Sequence, residues 1–109
     1  MNQRRFLSAI VVGLGMTLAA GVQAAGDAVA GKKKFNTCTG CHSIPGYNNV
    51  YPTYRVPKVA GQNEAYIVAA LKGYQSGNRP HKTMQSQAVT LSDQDMADIA
   101  AYLSGLGKP

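Results

Sequence analysis

The residues of this sequence best suited to chemistry form one short motif, Cys38-Thr39-Gly40-Cys41-His42, which contains both cysteines of the chain. Two thiols at this spacing can form thioether bonds to the two vinyl groups of a haem, and the adjoining histidine then lies below the iron as an axial ligand. The motif therefore predicts one covalently bound haem c. Cys38 and Cys41 would attach it, and His42 would bind the iron.

Other kinds of site also contain paired cysteines. A structural zinc site needs four ligands, and His81 is the one histidine outside the motif. A thioredoxin-like dithiol would follow a strand of a βαβ unit, and the flanking residues have no strand pattern. A structural disulfide is chemically possible in an oxidising compartment but does not account for His42. Haem attachment accounts for all three side chains of the motif, Cys38, Cys41 and His42.

The N-terminus has the composition of an export signal. Arg4 and Arg5 precede an apolar run over residues 6–20, and small residues follow it. Val22 and Ala24 suit positions −3 and −1 of a signal peptidase site, which predicts cleavage after Ala24. The run is shorter than the roughly 20 residues that span a bilayer, although an uncleaved anchor is the alternative.

Cleavage would leave residues 1–24 as a signal peptide and residues 25–109 as a single domain. We expect that domain in the bacterial periplasm, without stable membrane insertion, because covalent haem attachment of this type is completed outside the cytoplasm. A domain of this size has a marginal core, and a covalently held haem would give the short chain a large apolar plate to fold around.

Helical periodicity predicts three helices, over about residues 27–37, 63–76 and 93–103. Ser92 and Asp95 suit a capping box at the start of the third helix. The third helix has an apolar stripe, which predicts its buried face: Met96, Ile99, Ala100 and Leu103.

Two long loops, residues 43–62 and 78–91, separate these helices. Loops of this length in a small domain usually carry function or surround something. The pattern predicts an all-α fold whose long loops wrap around one covalently attached haem.

The chain resembles the class I cytochrome c family, and within it the small bacterial cytochromes of the c4 and c5/c553 type. The resemblance covers nearly all of residues 26–106. It rests on the cysteine motif, on residues 56–62, on Met84 and on residues 91–103. It implies a cytochrome c fold. Unlike the c4 proteins, this chain has one haem motif, so it is similar to one half of that two-haem design.

The resemblance implies further site residues. The backbone carbonyl of Pro57 would accept a hydrogen bond from the second ring nitrogen of His42 and so fix the ring. The sixth iron ligand would be Met84, in the second loop, because Met96 has the position of a core residue in the third helix. His81 is the competing ligand, and a bis-histidine iron would have a lower potential.

The resemblance also places a crossing between the first and third helices. Gly31 would allow the two backbones to approach, and Phe35 would lie against the face that carries Ile99 and Tyr102. This crossing is expected to be structural and contributes no site residue.

The charge distribution is uneven. Residues 25–109 contain nine Lys and Arg against five Asp and Glu, with the basic residues concentrated in 32–82. A basic side near an exposed haem edge would steer docking of acidic redox partners, although a solvated basic surface is the alternative. Nucleic acid is an unsuitable partner, since the domain would be exported and has no nucleic-acid motif.

The expected function is that of an exported mono-haem c-type cytochrome, a one-electron carrier between redox proteins. Two filled axial positions leave no place for a substrate on the iron, so an enzyme is not expected. One alternative is a haem c subunit of a periplasmic oxidoreductase complex, such as a sulfur-compound or alcohol dehydrogenase. Another is a catalytic or gas-sensing haem protein in which Met84 binds weakly.

Overall fold

The computed structural model describes residues 25–47 and 56–107, and within these ranges the regular structure is helical apart from one isolated β-bridge between Ile44 and Tyr47. The helices in chain order are α1 (Ala28–Phe35), α2 (Thr39–His42), α3 (Glu64–Ser76), α4 (Lys82–Ala88) and α5 (Asp93–Ser104). The prediction of an all-α fold is confirmed. None of these helices is long and apolar enough to cross a membrane. The predicted signal peptide, residues 1–24, lies outside the described residues.

The three predicted helices are present as α1, α3 and α5, and local capping chemistry accounts for their ends. The Asp27 carboxylate accepts hydrogen bonds from the first backbone amides of α1. Gly77 ends α3 in the left-handed conformation, with φ 81°, which glycine adopts without steric cost. Ser92 and Asp95 form both hydrogen bonds of the capping box at the start of α5, as predicted.

Helix α4 corrects the prediction of a continuous loop over residues 78–91. The sequence of this segment has no apolar periodicity, so that signal did not predict a helix here. In the structure, Ala88 is the one buried residue of α4. Its lysine, methionine, glutamines and alanine nevertheless favour a helix. His81 starts the helix, since its Nδ1 accepts a hydrogen bond from the backbone amide of Met84 at 3.2 Å.

The crossing of α1 and α5 is the most extensive contact between helices in the described ranges. A Cβ atom at Gly31 would lie 1.9 Å from the carbonyl oxygen of Asp98 and 2.8 Å from Cβ of Tyr102, so only glycine fits there. Next to it the rings of Phe35 and Tyr102 pack with their centroids 6.0 Å apart. The predicted crossing is confirmed. It forms one side of the core, which consists of Phe35, Ile67, Ile99, Ala100 and Leu103.

A buried carboxylate joins the same two helices. The Asp98 side chain accepts hydrogen bonds from the backbone amide of Asp27 at 2.8 Å and from Nε2 of Gln94 at 2.7 Å. It also accepts one from Nζ of Lys34 at 2.6 Å, and Lys34 contacts Asp95 at 2.8 Å. These bonds tie both ends of α1, through Asp27 and Lys34, to α5.

Candidate functional site

The cysteine motif folds as a tight helical turn directly after α1. The amide of Cys38 donates to the carbonyl of Phe35 at 2.8 Å, and the amide of His42 donates to the carbonyl of Cys38 at 2.9 Å. This turn brings both thiols and the imidazole onto one short element. Cys38 is half-buried and Cys41 is exposed.

The Cys38 thiol has an apolar environment. Burial raises its pKa above the ordinary value for cysteine, so the thiol is neutral at neutral pH. Cys38 packs against the core together with several half-buried apolar residues, among them Ile44, Val59, Val68, Leu71 and Leu91. Apolar side chains beside Cys38 suit the attachment of a large apolar macrocycle, which gains stability when it is buried.

The imidazole of His42 is oriented by the backbone. Its Nδ1 atom lies 2.8 Å from the carbonyl oxygen of Pro57, in the segment that precedes α3. A carbonyl oxygen can only accept, so Nδ1 carries a proton, and in the neutral imidazole this leaves the lone pair on Nε2. This is the hydrogen bond that the resemblance implies, and it leaves Nε2 as the nitrogen able to bind a metal.

The chain turns sharply after His42. Ser43 ends α2 with φ 55° and ψ 173°, a conformation that costs a residue other than glycine about 1–3 kcal/mol. Its amide still donates to the carbonyl of Thr39 at 2.8 Å, which closes the turn. The helix therefore stops immediately after the candidate ligand.

The two methionines of the described ranges have different environments. Met96 is fully buried on α5, which confirms its interpretation as a core residue. Met84 is half-buried on α4, which packs against α3. His81 is exposed, as expected, and its Nδ1 atom is already engaged with the amide of Met84.

The donor set fits a haem better than a protein-bound metal ion. Within residues 25–47 and 56–107, no three His, Cys, Asp or Glu side chains lie close enough together to hold an ion. The cysteine motif instead offers two thiols and one oriented imidazole, with Cys38 beside apolar side chains, and Met84 offers a thioether on a separate helix. These are the groups that attach and ligate a haem c.

Comparison with known proteins agrees with this chemistry. The family model described as Cytochrome c matches residues 28–107. Cytochrome c4 of Pseudomonas aeruginosa is 40% identical over 100 residues, which cover 92% of this chain and 47% of that protein. Cytochrome c-554(548) of Halomonas halodenitrificans is 42% identical over 83 residues, covering 73% of this chain and 96% of that protein.

A solved structure is similar as well. The crystal structure of reduced recombinant cytochrome c4 from Pseudomonas stutzeri superimposes with a TM-score of 0.64 at 38% identity. The match covers 76% of this chain and 47% of that one. This chain thus spans about half the length of the cytochrome c4 relatives that it matches.

Proposed function

Since this chain belongs to the cytochrome c family and is a class I c-type cytochrome of the c4 group with covalently attached haem c, we propose that it is an exported one-electron carrier. It would move electrons between redox proteins of the periplasm. Residues 1–24 would be removed as a signal peptide, and residues 25–109 would form the mono-haem domain.

The observation that carries this proposal is the hydrogen bond between His42 Nδ1 and the Pro57 carbonyl oxygen. It holds the ring in the tautomer whose Nε2 can bind iron, on the same helical turn as both thiols. Cys38 and Cys41 would hold the haem, and His42 would be the fifth ligand.

Met84 would be the sixth ligand. The haem supplies reversible one-electron chemistry at iron, and the chain's contribution is to keep both axial positions filled. A closed coordination sphere leaves no site for a substrate, so carrying electrons is favoured over catalysis. The redox partners would be proteins with acidic docking surfaces, since basic residues are in excess in this chain.

The test is intact mass and optical spectroscopy of protein isolated from the periplasm, together with two matched methionine variants. We expect a chain that begins at Ala25, carries one haem, and has a methionine-to-iron charge-transfer band when oxidised. Met84→Leu should abolish the band. Met96→Leu should retain it and cost less than about 1.5 kcal/mol of stability, because the swap nearly conserves core volume.

Unmodified thiols in this material would overturn the haem attachment. Loss of the band in Met96→Leu instead of Met84→Leu would overturn the ligand assignment. Rapid CO binding by the reduced wild-type protein at neutral pH would show that an external ligand reaches the iron easily. The protein would then be a ligand-binding haem protein and not a closed electron carrier.

A further inference from the structure

Arg79 lies at the N-terminal end of the segment that carries Met84, and its side chain binds α3. The Arg79 guanidinium lies 4.8 Å from the centre of the Tyr74 ring and 5.9 Å from that of Tyr66, and Nη1 donates to the Tyr66 hydroxyl at 3.2 Å. Its backbone amide donates to the carbonyl of Gly73 at 3.0 Å. Stacked and hydrogen-bonded arginine holds its neighbours in a defined geometry.

The aromatic contacts continue toward α4. The edge of the His81 ring meets the Tyr74 ring, with centroids 6.1 Å apart and planes inclined by 73°. His81 in turn accepts the hydrogen bond from the Met84 amide. A chain of direct contacts therefore runs from the Arg79 stack to the backbone of Met84.

A glutamine fastens the C-terminal end of the same segment. Nε2 of Gln75 donates to the carbonyl of Ala88, the last residue of α4, at 3.1 Å, and to the carbonyl of Leu91 at 2.8 Å. Gln75 is half-buried on α3, so these bonds are partly protected from water. The Ala88 carbonyl also accepts the backbone amide of Leu91 at 3.0 Å, so Gln75 reinforces a turn that the backbone itself closes.

Helix α4 needs such support. It has seven residues, and isolated helices of this length are unstable in water. Its single buried residue, Ala88, provides little hydrophobic anchoring. Contacts at its ends therefore add to the packing that holds α4 on α3.

We propose that Arg79, stacked between Tyr66 and Tyr74, and Gln75 are positioning residues that clamp α4 on α3 and so set how firmly Met84 is presented to the haem iron. This inference rests on Met84 being the sixth ligand. Loosening either end of the clamp raises the fraction of time in which Met84 is away from the iron, so an external ligand can replace it more easily.

The test is imidazole titration of the oxidised holoprotein, followed by loss of the methionine-to-iron band. Arg79→Leu removes the stack and should tighten imidazole binding about threefold, the size expected for an exposed cation–π contact. Gln75→Ala removes two hydrogen bonds and should tighten it about tenfold. Arg79→Lys keeps the charge over Tyr74 and should restore part of the wild-type affinity.

Two control variants test whether a change in imidazole affinity comes from the position of Met84, from the loss of a charge or from a general loss of stability. Lys82→Gln removes a positive charge from the same segment and should leave imidazole affinity unchanged. Asp98→Asn destabilises the distant α1–α5 junction and should also leave it unchanged, although it unfolds at lower denaturant concentration. The backbone amide of Met84 should exchange hydrogen faster than in wild type in Arg79→Leu and in Gln75→Ala, and at the wild-type rate in both controls.

The outcomes distinguish this inference from the ligand assignment. If Met84→Leu leaves the wild-type band intact, the ligand assignment fails and the inference fails with it. If Met84→Leu abolishes the band while Arg79→Leu and Gln75→Ala bind imidazole as wild type does, the clamp alone is wrong. Equal tightening in Asp98→Asn would mean that general stability, and not the clamp, controls Met84.

Discussion

Asp98 is the one buried charged residue of residues 25–47 and 56–107. It is 2% exposed, yet three donors satisfy its carboxylate, from the start of α1, from Gln94 and from Lys34. The hydrogen bond from the Asp27 amide, followed by those from Lys34 and Gln94, lowers the pKa of Asp98 from its usual 3.8 to about 2. The charged form of this side chain therefore stabilises the fold.

This lowered pKa predicts that the charged Asp98 side chain adds to the free energy of unfolding and that acid abolishes this contribution. Asp98→Asn should remove the same contribution. The folded pKa is below the unfolded one, so the contribution is complete above about pH 5 and declines as pH falls from 3.8 toward 2. Urea midpoints measured from pH 7 to pH 2 should fall more steeply for wild type than for Asp98→Asn, and the two curves should converge near pH 2.

Asp93→Asn is the matched control at the same helix. Its side chain is 85% exposed and contacts Lys72 only at 3.9 Å, so its pH profile should follow that of wild type. A constant gap between wild type and Asp98→Asn down to pH 2 would contradict the role given to the Asp98 charge.

At the scale of elements, α1 matters because the haem-attachment motif follows it directly. Its packing on α5 depends on the absence of a side chain at Gly31, where the two backbones touch. Phe35, one turn further on, is buried in the core and precedes Cys38 by three residues. The position of α1 at this crossing therefore determines where the cysteine motif lies.

Gly31→Ala should force this crossing apart. A methyl group would meet the Asp98 carbonyl at 1.9 Å, and backbone cannot yield as a flexible side chain can. We expect a loss of about 3 kcal/mol or more in the free energy of unfolding, measured by urea denaturation of the holoprotein.

Gly105→Ala is the control for the crossing variant. Its new methyl group would lie 3.5 Å from the nearest atom, the Ala101 carbonyl oxygen, which is ordinary contact. Its stability should stay within about 0.5 kcal/mol of wild type. Equal losses in the two variants would show that the close approach at Gly31 has no special cost.

At the scale of the whole molecule, charge is the property most relevant to partners. Residues 25–109, the proposed mature domain, have nine Lys and Arg against five Asp and Glu, a net charge of +4. Lys34 is bound to Asp95 and Asp98, and these hydrogen bonds raise its pKa, so its charge is largely offset locally. Lys32 and Lys33 are exposed on α1, the helix that precedes the cysteine motif, and form a basic surface there.

This surface predicts opposite salt effects for reagents of opposite charge. Electron transfer from ferrocyanide, an anion, should slow several-fold between 10 mM and 200 mM salt, because salt screens the attraction. Transfer with a cationic cobalt complex should accelerate over the same range. Stopped-flow rates measure both, and salt-independent rates with both reagents would exclude steering by the basic surface.

Much of the architecture was predictable because its causes are local. The spacing of Cys38, Cys41 and His42 specifies haem attachment, and the Ser92–Asp95 capping box marks where α5 begins. The apolar stripe of α5 predicted its buried face, since helical periodicity follows directly from the sequence. Met84 and Pro57 came from resemblance, and the ligand role of Met84 stays a prediction.

Only the tertiary structure decided the remaining features, because they depend on pairs of residues far apart in the chain. Asp98 has the sequence context of a solvated acidic residue, and it is buried because Asp27 and Lys34 meet it from α1. Helix α4 has no apolar periodicity, and its contacts with α3 include the hydrogen bond from Gln75 to the Ala88 carbonyl and the packing of Arg79, just before α4, on Tyr74. The sequence by itself determined which cofactor the chain attaches, whereas long-range packing determined how its candidate ligands are held.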